Sequence, residues 1–239
     1  IMKEEIKLFN NYVKQFDLKN KHIMGKFHHS YRVMEFAIDI AKSLELSEKD
    51  IYIASLAGLL HDIGRFNQMK NYNTYNDEKS IDHGDEGYRV LKEIINEFTK
   101  DEEIKNIVLS STKYHNKYKI EELDERTMLF CKIVRDADKL DIMKEQYNSI
   151  TEKEIILKSE LLTDVYSKKM CKNEYCENEV DYIIRMLDWV FDLNFKYSFN
   201  YLIQNKVIEN KFNLLEMYGE TDEIKKLKEF IYNEIEKRC

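Results

Sequence analysis

Residues 51–60 are apolar almost throughout and run without a break into His61-Asp62-Ile63-Gly64-Arg65. An apolar stretch of this kind fits a helix covered on nearly every side. Ser47-Glu48-Lys49-Asp50, just ahead of it, reads as an N-cap with an acidic first turn. The spacing therefore predicts a central buried helix over about 48–62. Its far end carries an imidazole and a carboxylate side by side. Each costs several kcal/mol if buried without a partner. A divalent cation would partner both.

A helix buried all round needs other elements to cover it, and the rest of the chain offers helices. Ile6, Phe9, Val13 and Phe16 recur at helical spacing in residues 2–16, followed by a polar connection over 17–27. A second stripe starts near His28 and runs through Val33, Phe36, Ala37, Ile40, Ala41 and Leu44. Residues 67–82, rich in Asn, Tyr, Asp and Lys, read as a long polar loop. Helices are expected after His83, after Asp101 (ending near Tyr114-His115-Asn116) and over 125–139. Thr151 to Glu154 matches a capping box. One long aromatic helix is expected over 179–203 and a last amphipathic one over 221–237. Proline is absent, where about 5% would be ordinary, so nothing breaks these helices. No stretch alternates as a strand would. The expectation is an all-α fold over 1–239, with a core at about 25–145 and a helical C-terminal extension at about 146–239.

Composition narrows the function. A net charge of -7 argues against binding a nucleic-acid backbone, which calls for a basic face. The apolar run of residues 51–60 is half the length a bilayer-spanning helix needs, and Met2 is followed by Lys3, Glu4 and Glu5 rather than an apolar leader. No membrane association and a cytoplasmic location are expected. The four cysteines form no CxxC pair and read as reduced thiols. The aromatic residues between Trp189 and Tyr201 suit core packing, or a homodimer interface.

Four of the six histidines, His29, His61, His83 and His115, fall at helix ends or on apolar helix faces, as do Asp62 and Asp138. Six mixed nitrogen and oxygen donors suit one or two divalent ions of the Mn, Fe, Ni, Mg or Zn type. An aspartate can bridge two ions.

The order of these residues resembles the HD superfamily of metal-dependent phosphohydrolases. His29-Ser30-Tyr31-Arg32-Val33 is similar to the family's first motif, His61-Asp62-Ile63-Gly64 to its name-giving pair, and His83 with Gly87 to the third. His115-Asn116 resembles the fourth, where many members have two histidines. Asp136-Ala137-Asp138-Lys139-Leu140-Asp141 resembles the last, with Lys139 where many relatives have arginine. The resemblance covers about residues 25–145.

It implies a helical bundle around a metal site. His29, His61, Asp62 and Asp138 would hold one ion, and His83 and His115 a second, with Asp62 bridging. The implied reaction is attack of a metal-activated water on a phosphomonoester or phosphodiester, of a nucleotide or related metabolite. Arg32, Arg65, Lys79 and Lys139 are the candidate phosphate partners, with Asp62, Arg65 and Lys139 nearest the chemistry. Two alternatives use the same scaffold: a di-iron oxygenase, and a non-catalytic module that senses a nucleotide.

Overall fold

The structure, a computed structural model, describes residues 2–145, 150–151, 155–217, 219 and 221–239. Among them all regular structure is helical. The chain divides into two compact units, Ile1–Asp141 and Ile142–Cys239.

The first unit is built on α1 (Lys3–Val13), α2 (Lys21–Ser43), α3 (Glu48–Leu60), α4 (Gly64–Tyr72), α5 (His83–Phe98), α6 (Glu102–Tyr114) and α7 (Glu125–Met143), whose last turn passes the unit boundary. Helix α3 is its axis. The Ser47 hydroxyl accepts from the Asp50 N–H and caps its start, and every residue from Ile53 to Leu60 is buried. Helices α1, α2 and α6 pack around it. Each Leu or Ile fully buried there contributes roughly 1.5–3 kcal/mol, which fixes the helix end that carries His61 and Asp62.

Gly64 opens α4 with its backbone against α5. A Cβ on it would stand 2.4 Å from the His83 carbonyl oxygen and 2.5 Å from the Gly87 nitrogen. Its φ is not positive, so close approach rather than a left-handed turn is what demands glycine. That contact brings the residue pair before α4 up to the first residue of α5.

Three sequence expectations are corrected. Helix α2 begins at Lys21, inside the expected connection, because the Asn20 side chain caps it by accepting from the His22 N–H. Gly25 lies within it at the modest cost of an exposed helical glycine. The expected loop of 67–82 is partly helical. Phe66, Gln68 and Met69 bury one side of α4, which ends at Asn73 in the left-handed region (φ 52°), and a 3-10 turn follows at Asp77–Lys79. The expected long helix of 179–203 is two helices, α9 (Glu179–Asp188) and α10 (Lys196–Gln204), with a 3-10 turn at Trp189–Phe191 between them. There Asn194 donates to the Asp192 carbonyl, the kind of local bond by which Asn and Asp compete with helix.

The second unit also holds α8 (Ser159–Tyr166), α11 (Val207–Glu216) and α12 (Asp222–Glu236). Helix α11 packs on α9, α10 and α12, burying Ile183, Leu187, Leu202, Phe212, Leu227 and Ile231. Trp189 and Phe199 are buried too, so these two members of the aromatic stretch are core. Of the expected capping box, residues 152–154 lie outside the described residues, and residues 155–158 are not helical. Among the described residues no helix is long and apolar enough to cross a membrane.

Candidate metal centre

Five segments of the first unit deliver side chains to one point. His29 comes from α2, His61 and Asp62 from the turn between α3 and α4, His83 from the first position of α5, His115 from the end of α6 and Asp138 from α7. All four histidines are buried.

Each ring is anchored by its Nδ1. His61 Nδ1 lies 2.8 Å from the Gly58 carbonyl and His115 Nδ1 2.7 Å from the Thr112 carbonyl, both in the last turn of the preceding helix, where carbonyls lack helical partners. A carbonyl only accepts, so Nδ1 donates and the neutral ring keeps its lone pair on Nε2. His29 Nδ1 meets Asp141 Oδ2 at 2.6 Å, and His83 Nδ1 meets Asp77 Oδ2 at 2.6 Å. All four Nε2 atoms are thereby aimed inward, as an outer partner does for a metal-binding histidine.

Asp62 stands between them. Its Oδ2 is 3.5 Å from His29 Nε2 and 3.6 Å from His61 Nε2, while its Oδ1 is 3.5 Å from His83 Nε2 and 3.3 Å from His115 Nε2. Asp138 Oδ1 closes the first group, 3.1 Å from His29 Nε2 and 3.5 Å from His61 Nε2. Donors about 2.1 Å from one ion stand roughly 3.0 Å apart at adjacent octahedral corners and roughly 3.4 Å apart at tetrahedral ones. The observed spacings, 3.1–3.6 Å, run from within that range to 0.2 Å above it. Each oxygen of Asp62 serves a different pair of histidines, so one carboxylate faces two donor groups.

The orphaned atoms pass the same test. His29 Nε2, His61 Nε2 and Asp62 Oδ1 are buried without a hydrogen-bond partner among the described residues. His83 Nε2 and His115 Nε2 face each other at 2.9 Å, and two lone pairs hold that distance only with a proton or a cation between them. His29-His61-Asp62, His61-His115-Asp138 and Asp62-His83-His115 each bring their donors within 4.8 Å of one another. The cluster is able to hold a divalent ion.

The electrostatics divide the site in two. Burial pushes the His83 imidazole down to about 4, helped by the Arg65 cation, and burial likewise lowers His115. Burial works against the His61 cation too, but the Asp62 and Asp138 carboxylates outweigh it and raise that ring. Burial would raise the Asp62 carboxyl; Lys26 and the surrounding histidines hold it well below the usual range. Asp138 is held low by His29 and His61 in the same way.

The candidate phosphate partners separate. Arg65 sits closest, its Nε 3.6 Å from Asp62 Oδ1, while its Nη1 donates to Gln68 Oε1, the Tyr75 carbonyl and Asp77 Oδ1. Arg32 grips Asp141 with two bonds, of 2.8 and 2.9 Å, so it acts on the site through Asp141 and His29. Lys139 is buried on α7 beside Asp138. Lys79 is exposed on the 3-10 turn and forms no ion pair with the cluster among the described residues.

Several participants carry no sequence signal. Lys26, one turn before His29, places its Nζ 2.7 Å from Asp62 Oδ2. Asp77 links His83 to Arg65 and Gln68. Buried Arg135 donates from Nη1 to the carbonyls of Tyr114, His115 and Lys117, clamping the end of α6 that carries His115.

Residues 27–143 match the model of the HD domain, a span containing all six clustered side chains. Among solved structures, one similar to this chain is a crystal structure of a predicted HD superfamily hydrolase from an uncultured Thermotogales bacterium. It is 20% identical, with a TM-score of 0.42, over 85% of this chain and 91% of that one. No curated protein matches.

Proposed function

Residues 27–143 form an HD domain and the chain belongs to that family, and on that premise we propose that it is a metal-dependent phosphohydrolase cleaving a phosphate ester of a small metabolite such as a nucleotide. The observation that carries this reading is the aim of four buried Nε2 atoms at the two oxygens of one carboxylate, Asp62. His29, His61, Asp138 and Asp62 Oδ2 would hold one divalent ion; His83, His115 and Asp62 Oδ1 would hold the other. Bound divalent ions lower the pKa of a coordinated water to about 7 and polarise phosphoryl oxygens.

The protein's own groups set the rest. Carbonyls and carboxylates on each Nδ1 keep the rings from rotating. The low basicity of His83 and His115 keeps their lone pairs available at neutral pH. Arg65, with its Nε facing Asp62, is the arm that would meet phosphoryl oxygen. Cations beside the ligand carboxylate suit an anionic phosphate, whereas an oxygenase acting on an uncharged polyol would have no need of them.

The test is metal analysis of the purified protein joined to an anaerobic hydrolysis screen of nucleotides and sugar phosphates. Two divalent ions per chain and phosphate release without oxygen are expected. Oxygen consumption by an iron-loaded protein that releases no phosphate would refute the proposal.

A further inference from the structure

Two cations lie against Asp62, one on each oxygen. Lys26 Nζ is 2.7 Å from Oδ2, and Arg65 Nε is 3.6 Å from Oδ1. Lys26 comes from α2 and Arg65 from α4, and one aromatic ring gathers both: the Lys26 ammonium lies 5.8 Å and the Arg65 guanidinium 5.4 Å from the centre of Tyr75. The Tyr75 hydroxyl donates to the His22 carbonyl on α2, and its carbonyl accepts from Arg65 Nη1, so the ring is tied at both ends. Oδ2 faces the His29 and His61 donors, and Oδ1 faces the His83 and His115 donors. Each half of the candidate metal centre therefore has its own cation.

We propose that Lys26 and Arg65, spaced by Tyr75, form a two-armed clamp for a dianionic phosphoryl group, which makes phosphomonoesters rather than phosphodiesters the substrate class. This rests on the phosphohydrolase reading above. With divalent ions on Asp62, Lys26 gives up that carboxylate to the ions. Arg65, its Nη1 still held by Asp77, keeps a buried Nε without a hydrogen-bond partner among the described residues, facing the same place, so both arms can take another anion there. A terminal phosphoryl group offers three oxygens and two negative charges, enough for both arms. A diester offers two free oxygens and one charge, and its third oxygen is esterified, so it carries a carbon and no charge. Lys26 binds substrate in this arrangement; it transfers no proton.

The test uses the full chain loaded with manganese, by calorimetric titration at pH 8 with inorganic phosphate, a dianion there, and with dimethyl phosphate, a monoanion. Lys26→Met is expected to weaken phosphate binding at least tenfold and dimethyl phosphate binding less than threefold, with manganese stoichiometry unchanged. Lys26→Arg, which keeps the charge, is expected to hold phosphate within about threefold of the parent. On chromogenic esters, Lys26→Met is expected to raise KM for the monoester with little change in kcat. Phosphate affinity of Lys26→Met within twofold of the parent, or an equal loss for both anions, would overturn the clamp. Failure of the parent to hydrolyse any ester while phosphate binding still depends on Lys26 would count against the hydrolase reading and leave the clamp standing.

Discussion

Asp141→Asn separates the orientation of a proposed metal ligand, His29, from the ligand itself. Asp141 is fully buried. Its Oδ2 accepts from His29 Nδ1 at 2.6 Å and from Arg32 Nη2 at 2.9 Å, and its Oδ1 accepts from Arg32 Nε at 2.8 Å. An amide has one oxygen. Its better orientation keeps oxygen toward His29 and Arg32 Nη2 and sets its NH2 against Arg32 Nε. One charge-assisted bond is lost outright, at about 1.5–3 kcal/mol, and the others drop to neutral-acceptor strength. The Arg32 side chain is 37% exposed, so water screens part of the loss. A net cost of about 2–3 kcal/mol follows for the metal-free protein. In a chain of this size that lowers Tm by roughly 5–10 °C. His29 also loses the carboxylate that fixes its tautomer, which costs about 10–100-fold in metal affinity. Chelator competition with manganese, beside thermal unfolding of both proteins without metal, measures the two effects. Unchanged metal affinity in Asp141→Asn would refute the claim that His29 is a ligand oriented through its Nδ1.

Gly64→Ala forces a Cβ to within 2.4 Å of the His83 carbonyl. It should destabilise the first unit by about 3 kcal/mol or more, read by denaturant unfolding, whereas Gly25→Ala, with open space around it, should stabilise by a few tenths to 1 kcal/mol. The His83 imidazole, depressed to about 4, gives a pH test in the metal-free protein. The unfolded chain takes up this proton near 6.5 and the folded chain only near 4. Stability is therefore unaffected by this group above 6.5 and falls as pH drops from 6.5 to 4, by about 3 kcal/mol in all. His83→Gln should flatten that part of the stability profile, and an unchanged slope would show that His83 is not the group responsible.

The fold was legible where the periodicity was strong. Residues 51–60 and the polar pair at their end marked both the central helix and the point on which the cluster converges. The anchoring of the rings was not legible. His61 and His115 are held by the carbonyls of Gly58 and Thr112, three residues back, and a backbone carbonyl leaves no trace in side-chain identity. Lys26 and Asp77 lay in stretches read as connections, because the helix of Lys26 is started by a single asparagine cap and Asp77 sits on a short 3-10 turn. The break at Asp192–Asn194 was missed for a related reason. The aromatic spacing runs through it, and two short polar residues outweigh that spacing only once their bonds to the backbone are seen.

The central claim is that Asp62 bridges two divalent ions held by four inward-facing histidines and Asp138. Anomalous diffraction from crystals of the manganese-loaded protein tests it most directly. The account predicts two manganese peaks, one between Asp62 Oδ2 and the Nε2 atoms of His29 and His61, the other between Asp62 Oδ1 and the Nε2 atoms of His83 and His115. A fully loaded protein with a single peak, or with peaks that do not touch Asp62, would contradict it.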